Sequence, residues 1–259
     1  MTFDLNAPSA RRTAARDLAP AEVPGHCFRI VADAAGTGGA FSLTEATSPI
    51  GAGVPFHVHD RAVECFYVLE GRYRLTVSGE RHESGPGDFL LVPRGASHGF
   101  EVLEGEARAL VLFAPAGFEE VFRRMPEIFG TPGEPGPLWD QANRAADTRL
   151  LDGPAPGPAA VTRAALTSPA GTATLADRST TETGLDITIR HDLRAGAAWS
   201  PDRTVTAVCV LSGRYRFELP DQTLTAEAGD HISLPRKTAP PWIVALAPDS
   251  SALLLSLAD

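Results

Sequence analysis

The sequence predicts an all-β fold, with two barrels in one chain joined by short helices. Three observations carry that expectation. Residues 27–115 are a series of short β-rich runs separated by Gly- and Pro-rich breaks. The pattern resumes near residue 160 as an internal repeat. The length, 259 residues with 43% hydrophobic side chains, suffices for two modest packed domains.

The runs in order are CFRIVA, GAFSLTEA, ECFYVLE, RYRLTVS, DFLLVP, HGFEVLE and ARALVLFA, interrupted by GTGG, SPIGAG, GPG and RGAS. Strands this short, set roughly 8–12 residues apart, suit an antiparallel sandwich or barrel. GFEEVFRRMPEIF (117–129) reads as a helix with Phe118, Val121, Phe122 and Met125 on one face, and with Pro126 as a kink or stop. GTPGEPGP then leads to a second possible helix, LWDQANRAADTRLL, and LDGPAPGPAA reads as a linker.

The repeat is ungapped. Residues 63–95 align with 205–237 at a shift of 142, with eleven of 33 positions identical, including the blocks GRYR, GD and PR. Two copies of one β unit are implied. In that register His57 falls opposite Trp199, His59 opposite Pro201, Glu64 opposite Thr206 and His98 opposite Pro240. Turn residues persist between the copies while candidate ligands do not.

Those four residues are the candidate metal site. His57 and His59, two apart on a strand, share one face. Glu64 has the opposite parity to His59, so the chain must turn within HDRAV for the three to converge. His98 lies 34 residues after Glu64, beyond turns at Gly71 and Gly85–Gly87 that return a strand to the same place. Three imidazoles and a carboxylate suit one divalent first-row ion, and leave positions for water, substrate or dioxygen. Iron, nickel, cobalt, manganese, copper and zinc all accept such a set. Phe66, Phe100 and Phe89 are candidate walls of an apolar substrate pocket. His26, His82, His191 and His231 lack partners at ligand spacing and are expected on the surface or in the core. Arg72, Arg74, Arg214 and Arg216 alternate with aromatic positions, as on a solvated or inter-barrel face.

The net charge of −9 disfavours nucleic acid or an anionic membrane as partner. Cys27, Cys65 and Cys209, odd in number and set in apolar runs, read as free buried thiols of a reducing cytoplasm. The first 25 residues show no apolar secretory core, and runs such as SALLLSLA are too short to span a bilayer. A soluble cytoplasmic protein, monomer or homodimer, is expected.

Two stretches resemble a known family. GVPFHVHDRAVECFYVLEG resembles the first cupin motif (Gly53, His57, His59, Glu64, Gly71), and GDFLLVPRGASH the second (Gly87, Pro93, Gly95, His98). The asparagine usual four residues after the last histidine is Val102 here. FYVLEG, GPGDF and the GFEEVF helix are most similar to quercetinase-like cupins. The resemblance implies two cupin (double-stranded β-helix, or jelly-roll) barrels with short connecting helices. Residues 1–25 would be an N-terminal arm, 26–116 the metal-bearing barrel, 117–158 a helical connection and linker, and 159–259 a degenerate, metal-free barrel.

For function it implies a metal-dependent oxygenase, acting with dioxygen on a small enolic or phenolic substrate, with Glu64 as proton acceptor. A non-redox isomerase, lyase or polyketide cyclase would need the same four ligands, and a non-catalytic small-molecule-binding protein is the third reading. A cupin-type transcription factor is disfavoured, because neither a helix-turn-helix segment nor a basic patch is visible.

Overall fold

A computed structural model describes residues 4–23, 25–130, 136–164, 171–201, 205–235 and 239–257. The chain forms two compact units. The first comprises residues 19–34 and 41–164, the second residues 1–18, 35–40 and 165–259.

Two long strands, Val63–Val77 and His98–Ala114, are the spine of the first unit and pair antiparallel along most of their length. The sequence shows how Val63–Val77 is used. Its first six residues are buried on both faces, whereas Tyr73, Leu75 and Val77 point inward between the more exposed Arg72, Arg74 and Thr76. ECFYVL is thus apolar throughout, and RYRLTV alternates. Asp88–Val92 pairs with the first half of that strand and Glu80–Ser84 with the second. On the other side of the sheet Ser42–Ser48 follows His98–Ala114, then His26–Ala32 and Ala21–Val23. The core gathers Phe66, Val68, Tyr73, Leu75, Leu90, Val92, Val111 and Phe113 from these strands.

The expected helix is Glu119–Gly130, and it runs through Pro126 rather than stopping there. A helix of this length is marginal alone. Its buried face, Val121, Phe122, Met125 and Ile128, supplies about 1.5–3 kcal/mol per side chain, so docking holds it. The second helix is shorter than expected, Gly136–Ala145. Its anticipated C-terminal half is instead a strand, Thr148–Leu150, after Asp147 turns the chain at φ 59°. The Gly/Pro-rich residues 131–135 lie outside the described residues.

The described residues of 117–158 therefore fold as part of the first unit. Thr148–Leu150 pairs with His57–His59, and the linker-like stretch is tied down where Ser97 bonds Ala155 and Ser78 bonds the Pro158 carbonyl. The first unit also gains the strand Val161–Ala164, paired with Asp88–Val92.

The second unit has two sheets. Six strands run in the order Arg11–Ala14, Asp230–Ser233, Val205–Ser212, Ser250–Leu257, Leu185–Asp192, Gly171–Ala176. Four more run Ala198–Trp199, Trp242–Ala245, Arg214–Glu218, Thr223–Glu227. Val208, Val210, Tyr215, Phe217, Ile232, Ile243 and Leu254 fill its core. Of the residues read as an N-terminal arm, Arg11–Ala14 provides its edge strand, with Arg12 and Arg16 reaching the buried Asp230.

Candidate metal centre

His57 and His59 sit on the three-residue strand His57–His59, the chain turns at residues 60–62, and Glu64 follows at the head of the next strand. The turn that parity required is present. His98 opens the long return strand and lies directly opposite His57. Gly53 allows this approach: it bridges to Glu101, and a Cβ there would come 2.4 Å from the Phe100 carbonyl oxygen.

The four side chains are buried, and their candidate ligand atoms lie within 4.8 Å of one another. Each imidazole is oriented from behind. Nδ1 of His57 lies 2.9 Å from the Pro55 carbonyl, and Nδ1 of His98 lies 2.9 Å from the Ala96 carbonyl. Since a carbonyl only accepts, both Nδ1 atoms carry the hydrogen, and in the neutral rings Nε2 presents a lone pair. Nδ1 of His59 meets the Thr148 hydroxyl at 2.9 Å, while its Nε2 is buried with no hydrogen-bond partner. Oε2 of Glu64 stands 2.7 Å from Nε2 of His98 and 3.4 Å from Nε2 of His59.

Burial works against charge on Glu64, but the adjacent His59 and His98 imidazoles outweigh it and hold the carboxyl well below its usual range. Burial, reinforced by His98 and His59, pushes the His57 imidazole well below its ordinary value. An ionised carboxylate among three rear-anchored imidazoles, one with an orphaned nitrogen, is a donor set that fits a divalent cation.

A cavity opens over His57, Glu64 and His98. Phe66 and Phe100 line it. Phe89 does not: it pairs with Tyr67, while Leu90 pairs with Phe66, so strand alternation turns Phe89 away. Sequence reasoning missed Phe28, Tyr73, Phe118, Phe122, Met125, Trp139 and Asn143, all of which line the cavity. The apolar stripe Phe118, Phe122, Met125 was a legible signal for part of that wall. Trp139 and Asn143 gave none. No lysine or arginine is among the lining residues.

His26, His82, His191 and His231 are not among the clustered ligand candidates. His231 is buried, and His26, His82 and His191 are partly exposed. Arg72 and Arg74 form exposed ion pairs with Glu83, Glu101 and Glu104. None of the three cysteines is in a disulfide. In the second unit Trp199, at the repeat position of His57, is packed in the core. Its Nε1 donates to Asp192, which also accepts from Tyr215 and from Arg190.

Residues 44–114 match the cupin domain family. The whole fold resembles that of oxalate decarboxylase from Bacillus subtilis, with a TM-score of 0.64 and 19% identity, covering 99% of this chain and 78% of the other. Residues 44–114 thus form a cupin domain. The chain is 32% identical over 97 residues, 38% of its length, to the quercetin 2,3-dioxygenase of Bacillus subtilis (strain 168). It is 29% identical over 102 residues, 37% of its length, to that of Aspergillus japonicus. In both cases it spans 29% of the relative's length. No helix among the described residues is long and apolar enough to cross a membrane.

Proposed function

We propose that this cupin is a cytoplasmic metal-dependent oxygenase, acting with dioxygen on a small enolic or phenolic compound in the first unit. One observation carries the reading. The cavity over His57, Glu64 and His98 is walled by aromatic and aliphatic side chains, and no cation is among the residues lining it. Such a wall favours a flat, largely apolar molecule whose rings can be buried against it. The partial similarity to two quercetin 2,3-dioxygenases points the same way.

His57, His59, Glu64 and His98 would hold one divalent ion, which when bound acidifies a coordinated hydroxyl and supports chemistry with dioxygen. The chain's own residues do the rest. Phe66, Phe100 and Phe118 exclude water from the reacting centre and orient a planar ring. Glu64 borders the cavity and presents Oε2 as the acceptor for the substrate's hydroxyl proton.

The test is elemental analysis of the purified protein, followed by oxygen-electrode assays with enolic and phenolic compounds. Oxygen uptake that depends on both metal and substrate is expected. A redox-silent zinc load, with turnover but no oxygen uptake, would replace this reading by the non-redox isomerase, lyase or cyclase.

A further inference from the structure

We infer that Thr148 is a positioning residue: its hydroxyl fixes the His59 imidazole with Nε2 free to bind metal. The inference rests on reading the four buried residues as a metal site.

Thr148 Oγ1 lies 2.9 Å from Nδ1 of His59 and 3.2 Å from the Ala146 carbonyl. The carbonyl can only accept, so the threonine hydrogen goes to Ala146 and the oxygen accepts from the His59 Nδ1–H. The opposite arrangement would have Thr148 donate to Nδ1 and give up its bond to the Ala146 carbonyl. It would also leave a buried Nε2–H whose nearest acceptor, Glu64 Oε2 at 3.4 Å, makes no hydrogen bond with it. An unpaired buried donor costs roughly 1–3 kcal/mol, so the relay from Nδ1 through Thr148 to Ala146 is preferred. Thr148 is itself buried, which leaves no bulk water to replace its hydroxyl.

The source of this hydrogen bond sets His59 apart. His57 and His98 are each anchored by a carbonyl two residues earlier in the chain, contacts that come with the local backbone. His59 relies on a side chain 89 residues away in sequence. That side chain stands on the strand Thr148–Leu150, where Thr148 pairs with His59 and Leu150 with His57. Asp147 ties the register by binding the Arg61 backbone N–H and the Arg61 guanidinium. The same stretch of chain lines the cavity with Trp139, Asn143 and Leu150. One continuous segment therefore both covers the cavity and orients a candidate ligand, so its placement sets the affinity of the site.

The experiment compares wild type, Thr148→Val, Thr148→Ser and Thr148→Ala by chelator competition with Co(II), using the full chain. Loss of a partner that orients a metal-binding histidine lowers metal affinity roughly 10–100-fold, and T148V and T148A are expected to show that loss. T148S keeps the hydroxyl and is expected to bind like wild type, which a purely packing role for the threonine would not give. In the Co(II)-loaded proteins, the shifted exchangeable proton signal of the His59 Nδ1–H should change in T148V and persist in T148S. If T148V does not fold, T148S and T148A, which differ by the hydroxyl alone, carry the same comparison. Unchanged affinity in the hydroxyl-free variants of a metal-binding wild type would overturn this inference alone. A folded wild type that binds no Co(II) would overturn the metal reading and this inference with it.

Discussion

Nε2 of His98 and Oε2 of Glu64 stand 2.7 Å apart in a buried site, while Nδ1 of the same imidazole is taken by the Ala96 carbonyl. The carboxylate is therefore held beside a ring whose orientation is already decided from behind. Glu64 also borders the cavity, so one carboxylate faces both the imidazole cluster and the open space beside it.

That placement makes Glu64 the first residue to test. Glu64→Gln keeps the volume and one oxygen donor but removes the charge and the base. It should retain much of its metal and lose turnover by about two to four orders of magnitude, the usual scale for loss of a general base. Metal content must be measured in the same preparation. Near-normal turnover in a metal-loaded variant would leave Glu64 as a ligand only.

A single metal ion per chain is expected. In the second unit the repeat positions hold Trp199, Pro201, Thr206 and Pro240, and Trp199 is already engaged with Asp192. Arg190 lies over its ring, 4.6 Å from the centroid, and supplies a positive charge next to that carboxylate. Elemental analysis should give one equivalent for wild type and none for a His57→Ala/His59→Ala double variant. Two tightly bound equivalents, or metal retained in the double variant, would contradict this.

What could be read in the sequence follows from how local each signal is. The four-residue site was legible because parity, one turn and a return strand are short-range properties of 57–64 and 87–98. The repeat was legible because its turn glycines are fixed by backbone conformation. Phe89 was misplaced because its face depends on pairing with Tyr67 rather than on its own run. The N-terminal edge strand and the strand Thr148–Leu150 stayed hidden because both are short and form only through pairing with distant segments. In the second case the preceding helical pattern ran on past Asp147, where the structure turns.

The glycines shared by the two units should be unequal in importance to other turn glycines. Gly71 and Gly213, one repeat apart, have φ of 72° and 69°. A Cβ on Gly71 would come 2.7 Å from the Cα of Ala107, and one on Gly213 would come 2.8 Å from the Cα of Ser250. Gly79 has φ 88°, and a Cβ there would meet nothing within 4 Å. Gly79→Ala should lose about 1–2 kcal/mol, the left-handed backbone cost alone. Gly71→Ala should lose more, because main chain must also move. Urea denaturation of the two variants checks the order, and equal losses would remove the close-packing role of Gly71.

His231 should make the protein acid-sensitive independently of the metal centre. It is buried in the second unit with neither ring nitrogen hydrogen-bonded, and burial lowers its pKa to about 4 from the ordinary 6.5. Between those values the unfolded chain binds a proton that the folded chain refuses. The folded state therefore keeps its full stability above about pH 6.5 and loses it as pH falls toward 4, by about 3 kcal/mol at most. The first unit shows the remedy, since the repeat position of His231 is Phe89, which is buried without a polar atom to satisfy. His231→Phe should match or exceed wild-type stability at pH 8, because it also removes an unpaired buried N–H. Its melting temperature should fall less steeply than wild type between pH 6.5 and 4.5. Metal-free protein must be used for both, so that release of metal at low pH does not enter the comparison. Parallel pH profiles for the two proteins would show that His231 finds a proton partner in the folded state.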